Sequence, residues 1–307
     1  MRSLLLSLAL ALPLAVQAQG FSFVALGDLP YGTPERAYGP YRALIERINR
    51  LEPAFSIHVG DFKSGSTPCS DEEFSAQLEH FGRHSGAVVY TPGDNEWTDC
   101  HRASNGGYDP LERLGALRQR FFDGRHSLGQ RPITVESQAR LMPEHGRYIE
   151  NLRWQQQDVL FATVHLVGSN NNLEGRDPKA AAEFFERDAA NVAWIRAAFE
   201  QAGQRQAKAL VLAFQADMFE PRGNDDFPGH SGFRSVGQTL LPLARQLGKP
   251  VLVIHGDSHR FVIDQPFTLD RKPLANVTRL EVPGAQDTRA VRVQVEGGRF
   301  TFELVSP

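Results

Sequence analysis

The sequence predicts an α/β protein: a two-layer β-sandwich of mixed sheets flanked by helices, with loops at one edge carrying the chemistry. Three observations point there. Hydrophobic runs end in Gly-Asp at Gly27-Asp28, Gly60-Asp61 and Gly256-Asp257, and a fourth such pair, Gly93-Asp94, follows the short run Ala87 to Tyr90. Strand and helix patterns alternate through the first third of the chain. The last fifty residues read instead as short extended segments without intervening helices.

Taken in order, Phe21 to Leu26 is a first strand and Pro34 to Leu51 a helix. Pro34 suits a first turn, and Ala37, Tyr41, Leu44, Ile45 and Ile48 share one face. A strand over 54–59, a helix from Asp71 to His84 and a strand over 87–90 follow. Residues 101–146 hold a helical stretch from Leu111 to Phe122 and then a loop-rich insertion. Arg147 to Asn151 and Val159 to Val167 read as strands, arranged as a hairpin. A long amphipathic helix covers Ala180 to Ala202, followed by strand 209–214, a loop from Asp217 to Gly232, a helix from Ser235 to Leu247 and strand 251–255. The tail segments Arg260 to Ile263, Asn276 to Val282, Arg289 to Val295 and Phe300 to Val305 are expected as consecutive antiparallel strands. No interdomain linker is visible, so residues 19–307 are expected to form a single domain.

Residues 1–18 read as a signal peptide. Arg2 gives a positive start, Leu4 to Leu14 an apolar stretch too short to span a bilayer, and Val16-Gln17-Ala18 a small-residue cleavage site. The expected location is periplasmic or secreted, with no membrane span. In such a compartment the two cysteines, Cys69 and Cys100, are expected to pair. A formal net charge of −3 excludes a broad basic surface for duplex nucleic acid.

A strand that ends in a glycine turn delivers the next side chain to the carboxyl edge of the sheet, where open α/β sheets bind ligands. Four such strands would gather Asp28, Asp61, Asp94 and Asp257. Clustered carboxylates repel in a low dielectric, so the arrangement requires compensating positive charge. One or two divalent cations would supply it; the Lys63 ammonium, two residues after Asp61, is a rival. Carboxylate and amide oxygens are hard ligands, which favours Mg, Mn or Ca over Zn or Fe.

The ordered motifs are Gly27-Asp28-Leu29-Pro30, Gly60-Asp61-Phe62-Lys63, Gly93-Asp94-Asn95-Glu96, the strand end Gln215-Ala216-Asp217, and Gly256-Asp257-Ser258-His259. Their order and spacing resemble the calcineurin-like metallophosphoesterase superfamily over about Phe21 to His259. The resemblance implies Asp28 as first metal ligand and Asp61 as the bridging carboxylate. It places Asp94 at an Asn ligand position, Asn95 where a leaving-group histidine stands, Gln215 at a lone histidine, and Asp257 and His259 on the final histidine pair. Pro30 replaces a further histidine.

The activity so implied is metal-dependent hydrolysis of phosphate mono- or diesters, on a small molecule or a phosphorylated polymer. The alternative is a catalytically degenerate protein of the same fold that binds a ligand or holds a structural metal only; the loss of three imidazoles favours it. Asn95 cannot be a general acid at neutral pH and would orient or donate a hydrogen bond. His58, His165 and His101 are the candidate proton donors, with a buried core histidine as the other reading of His58 and of His255. The stretch His165-Leu166-Val167-Gly168-Ser169-Asn170-Asn171-Asn172 closes a strand with a polar turn that either presents amides to phosphate or is an ordinary Asn-rich turn. Trp97 either lines a substrate face or anchors its loop. Arg222 and Arg234, with Asp225, Asp226 and His230 between them, either hold a phosphate or are solvated surface.

Overall fold

The computed structural model describes residues 20–218 and 231–307. The expected leader and the loop residues Arg222, Asp225, Asp226 and His230 lie outside the described residues.

Strand β1 (Phe21–Leu26) leads into helix Pro34–Leu51 and then β2 (Ser56–His58). Helix Asp71–Gly82 and β3 (Ala87–Tyr90) follow, then helix Pro110–Phe121 and the short strands β4 (Leu128–Gly129) and β5 (Glu136–Ser137). A hairpin of β6 (Leu152–Gln156) and β7 (Val159–Thr163) precedes helix Pro178–Gln204, β8 (Ala209–Ala213), helix Arg234–Leu247 and β9 (Val251–His255). The chain closes with β10 (Val262–Asp264), β11 (Thr268–Leu269), β12 (Lys272–Pro273), β13 (Val277–Glu281), β14 (Ala290–Glu296) and β15 (Arg299–Val305).

Two sheets form the sandwich. One has the order β15-β14-β1-β2-β3-β4 and the other β10-β13-β9-β8-β7-β6-β5, with β11-β12 a separate ribbon. Both are mixed: β1, β2 and β3 run parallel, as do β7, β8, β9 and β13, while the outer strands run antiparallel.

Strand alternation builds the layers. In β1, Phe23 and Ala25 face the space between the sheets, where Phe23 stacks on Phe55 and meets Phe161 edge-on. Val24 and Leu26 face the other way, onto Tyr41, Leu44, Ile45 and Ile48 of helix Pro34–Leu51, the face the sequence marks as apolar. In the second sheet Phe161 and Val211 look inward, while Leu160, Leu210 and Leu212 pack on Trp194, Ile195 and Leu240 of the long helices. The result is helix, sheet, sheet, helix.

Two expectations need correction. Residues 147–151 are not a strand: pairing starts at Leu152, and Glu150 and Asn151 are buried as polar anchors. Nor is the tail one antiparallel series. β13 runs parallel beside β9 in the second sheet, whereas β14 crosses to pair with β1 in the first. Alternation in sequence reports a half-buried strand; it carries no information on which sheet receives it.

Candidate metal centre

Strands β1, β2 and β9 all end at the same edge, each in a glycine turn. The residues just past these turns are held in left-handed backbone: φ is 51° at Asp28, 55° at Asp61, 76° at Asp257 and 59° at His259. Such conformations cost non-glycine residues about 1–2 kcal/mol each, with Asp among the most tolerant. They turn the side chains inward over the strand ends. The glycines matter by their bareness: a Cβ at Gly256 would collide with the Asp28 carboxylate, and one at Gly93 with that of Asp61.

Asp28, Asp61 and His259 converge so that one ligand atom from each lies within 4.8 Å of the others. Both carboxylates are buried, and His259 closes the group from the exposed side. Its Nε2 stands 3.3 Å from Asp28 Oδ1, and the Asp257 amide donates to Asp28 Oδ1 and Oδ2 at 3.1 and 3.2 Å.

Asp61 is gripped from the third motif. Asn95 donates its backbone N–H to Oδ1 at 3.1 Å and its Nδ2 to Oδ2 at 2.6 Å. Tyr31 Oη donates to the same Oδ2 and accepts from Asn95 Nδ2 at 2.6 Å, with its ring edge-on to His259 at 5.1 Å. Beneath them the buried Glu96 joins three elements: Oε1 accepts from Asp61 N (3.0 Å), Gly93 N (2.8 Å) and Tyr90 Oη (2.8 Å).

Asp94 and Asp257 stand beside the tight group, on either side of Gly168, where an added Cβ would lie 2.6 Å from Asp94 Oδ2 and 2.7 Å from Asp257 Oδ1. Gln215 joins them, donating to Asp94 Oδ1 at 3.3 Å and accepting from Gly168 N at 2.5 Å. Ser169 Oγ donates to Asp94 Oδ2 at 2.9 Å, and Asp217 N to Asp257 Oδ2 at 3.0 Å.

The electrostatics follow from burial. It raises the Asp28 carboxyl against the pull of His259, and raises Asp61 well above the usual carboxylate range, with Asp94, Glu96 and Asp28 adding repulsion. Burial and then Asp94 push Asp257 up to about 7. The bond to Asp28 lifts His259 above the ordinary imidazole value. Lys63 does not bond to these acids. Its buried Nζ donates to Ser64 O at 3.1 Å and Asn105 Oδ1 at 3.4 Å, and burial lowers its pKa.

The histidines separate. His58 is sealed in the core, bonded through Nε2 to Leu29 O at 3.0 Å and lying edge-on to Phe81; burial depresses it to about 4. His165 is equally buried, bonded to Glu150 at 2.8 Å, and also depressed to about 4. Neither reaches an acid of the cluster. His101 bonds Thr98 O at 2.7 Å on the rim, and His255 bonds Gly256 O at 2.9 Å.

Trp97 is buried beneath Arg187, 5.3 Å from its ring, and anchors its loop. Ser169 to Asn172 all adopt left-handed φ, and Asn171 is consumed by Arg187 and Gly232. Cys69 and Cys100 form a disulfide across 31 residues, tying the loop after Asp61 to that after Asn95.

Tyr31 and Glu96 are site residues that the motif reading did not single out for a role. Glu96 stands inside a quoted motif and Tyr31 three residues after Asp28, so position along the chain was the available signal.

No protein-family profile matches this sequence, and no curated protein matches it. Solved structures do. A dimetal phosphatase from Danio rerio superposes with a TM-score of 0.54 at 12% identity, covering 93% of this chain and 98% of that one. The purple acid phosphatase PPD1 from yellow lupin (Lupinus luteus) seeds gives 0.52 at 13% identity, over 94% of this chain and 52% of that one. The chain therefore has the calcineurin-like metallophosphoesterase fold. At 12–13% identity it is a divergent version of that fold. Among the described residues no helix is long and apolar enough to cross a membrane.

Proposed function

We propose that this chain is an exported hydrolase of phosphate esters that works with one or two divalent cations held by Asp28, Asp61 and His259, with Asp94, Asp257 and Gln215 completing the shell. The observation that carries this reading is the convergence of Asp28 and Asp61, both buried, on His259 within 4.8 Å, with no lysine or arginine bonded to either carboxylate among the described residues. The donor set fits: carboxylate and amide oxygens with one imidazole suit Mg, Mn or Ca. Bound there, such cations act as Lewis acids on a phosphoryl oxygen and make water a nucleophile at neutral pH.

The residues do the rest. In hydrolysis the water oxygen bonds to phosphorus as it gives up a proton to solvent, the bond from phosphorus to the ester oxygen breaks, and the departing alkoxide takes a proton from solvent. Asn95 Nδ2 and Tyr31 Oη, 2.6 Å apart, spend their protons on Asp61 Oδ2 and on one another, and would hold that carboxylate in position for a cation. The Gly168 turn, left-handed from Ser169 onward, fixes Asp94 and Asp257 on its two sides. Export is supported by the leader pattern and by the Cys69–Cys100 disulfide.

The test is metal content of the purified protein, followed by assays of p-nitrophenyl phosphate and bis-p-nitrophenyl phosphate with Mg, Mn, Ca or Zn added. Turnover that disappears in Asp61→Asn supports the hydrolase. Bound metal with thermal stabilisation and no turnover supports instead the degenerate, structural-metal reading, which the replacement of imidazole by Asn95 favours.

A further inference from the structure

A cavity of about 520 Å³ lies against the acid cluster. The two share a wall: Ser169 Oγ, which lines the cavity, lies 2.9 Å from both Asp94 Oδ2 and Asp99 Oδ1 and donates its one proton to either. Thr98, also on the lining, donates through Oγ1 to Asp94 O at 3.3 Å. An ester whose phosphoryl group sat on the acids would project its alcohol this way.

The opposite wall is made by the first turns of two helices. Their caps, Asp109 and Asp177, both face the cavity and use Oδ1 for the helix: Asp109 accepts from Leu111 N and Glu112 N at 2.8 and 3.1 Å, Asp177 from Lys179 N and Ala180 N at 2.9 and 3.3 Å. Oδ2 of each carboxylate makes no such bond. On the rim, Arg176 and Lys179 are exposed and form no ion pair among the described residues. The lining thus alternates carboxylate acceptors with cationic donors.

A hydroxyl group answers both, since it donates to a carboxylate and accepts from a guanidinium or ammonium. A planar base is poorly served. Phe, Tyr and Trp are absent from the described lining, and its one ring, the His101 imidazole, is tied through Nδ1 to Thr98 O at 2.7 Å. The volume falls in the range of small-molecule sites, roughly 300–1,000 Å³.

We infer that this cavity binds a polyhydroxylated alcohol, a sugar or polyol, as the leaving portion of the substrate. The inference deepens the hydrolase reading and rests on it for the chemistry, while the binding itself can be tested without turnover.

The probes are glucose, glucitol and adenosine, observed by saturation-transfer NMR on the mature protein and on Arg176→Met/Lys179→Met, whose exposed side chains leave the core untouched. Saturation should reach glucose and glucitol rather than adenosine, and the double variant should bind them about tenfold more weakly, the effect of losing one charge-assisted hydrogen bond. In the assay, kcat/KM for sugar phosphates should fall in the double variant while that for p-nitrophenyl phosphate holds. Sugar binding with every ester left uncut would support the cavity and remove the hydrolase reading. No transfer to either polyol, preference for adenosine, or equal binding by the double variant would overturn the assignment.

Discussion

The acids at the strand ends and the network around Glu150 are both buried, yet their carboxyls move in opposite directions. Burial alone would raise Glu150, but Arg118 and His165 outweigh it and hold the carboxyl well below the usual range. Arg118 Nε stands 3.1 and 3.0 Å from its two oxygens, and His165 adds a bond at 2.8 Å. Glu183 is likewise lowered, because Arg187 contacts it at 2.6 Å. At the strand ends no guanidinium or ammonium of the described residues bonds Asp28 or Asp61, and burial raises both carboxyls. The Glu150 network is finished by the chain itself. Among the described residues the acid cluster has no such partner, and a cation would complete it.

That contrast can be broken by mutation. The largest effect is expected for Asp61→Asn, which should lower phosphate-ester turnover by about 10³-fold. Removing an unbalanced buried acid should meanwhile raise the melting temperature of the metal-free protein. Loss of turnover together with a lower melting temperature would mean that Asp61 is balanced after all. Glu150→Gln should do the reverse. Arg118 would be left buried without its counter-charge, costing about 3–5 kcal/mol in denaturant unfolding. Turnover per folded molecule should persist.

Cation addition sharpens the comparison. At a hundredfold excess over Kd, Mg, Mn or Ca should add about 2.7 kcal/mol to the stability of the wild type. Asp28→Asn should abolish that gain in a thermal melt, and Glu150→Gln should keep it.

The mildest signature is in pH. The folded-state pKa of Asp257, about 7, lies above that of an unfolded aspartate, about 3.9. Its contribution is therefore present below about pH 4 and is lost as pH rises through about 7. The metal-free protein should melt at lower temperature at pH 7.5 than at pH 5. A saturating cation should flatten or reverse the slope. Glu150 works with the opposite sign: its contribution is present above the unfolded glutamate value, about 4.3, and disappears only in stronger acid. A flat melting curve from pH 5 to 7.5 without cation would contradict the unbalanced cluster.

Much of this centre was legible in one dimension because the Gly-Asp turns are local. A buried strand, a glycine and an acid within eight residues determine both the edge and the direction of the side chain, as at Phe21–Leu26 and Asp28. His58 and His165 were not legible in the same way. A histidine beside such a turn has the same sequence signature whether it faces the cleft or Phe81 and Glu150, and burial decides between them. Tyr31 was hidden for a related reason: its hydroxyl reaches Asp61 only after the loop following Asp28 has folded back over the strand ends.

The sequence by itself determined the alternating elements, the amphipathic faces such as Tyr41 to Ile48, the cysteine pair and the acids to be gathered, since each depends on periodicity or on residue type. Tertiary structure alone decided which sheet received β13 and β14, where Lys63 put its charge, and which buried carboxylates found a cationic partner. Those outcomes depend on distances between segments far apart in the chain. Charge balance in a low dielectric is set by such distances, and composition does not encode them.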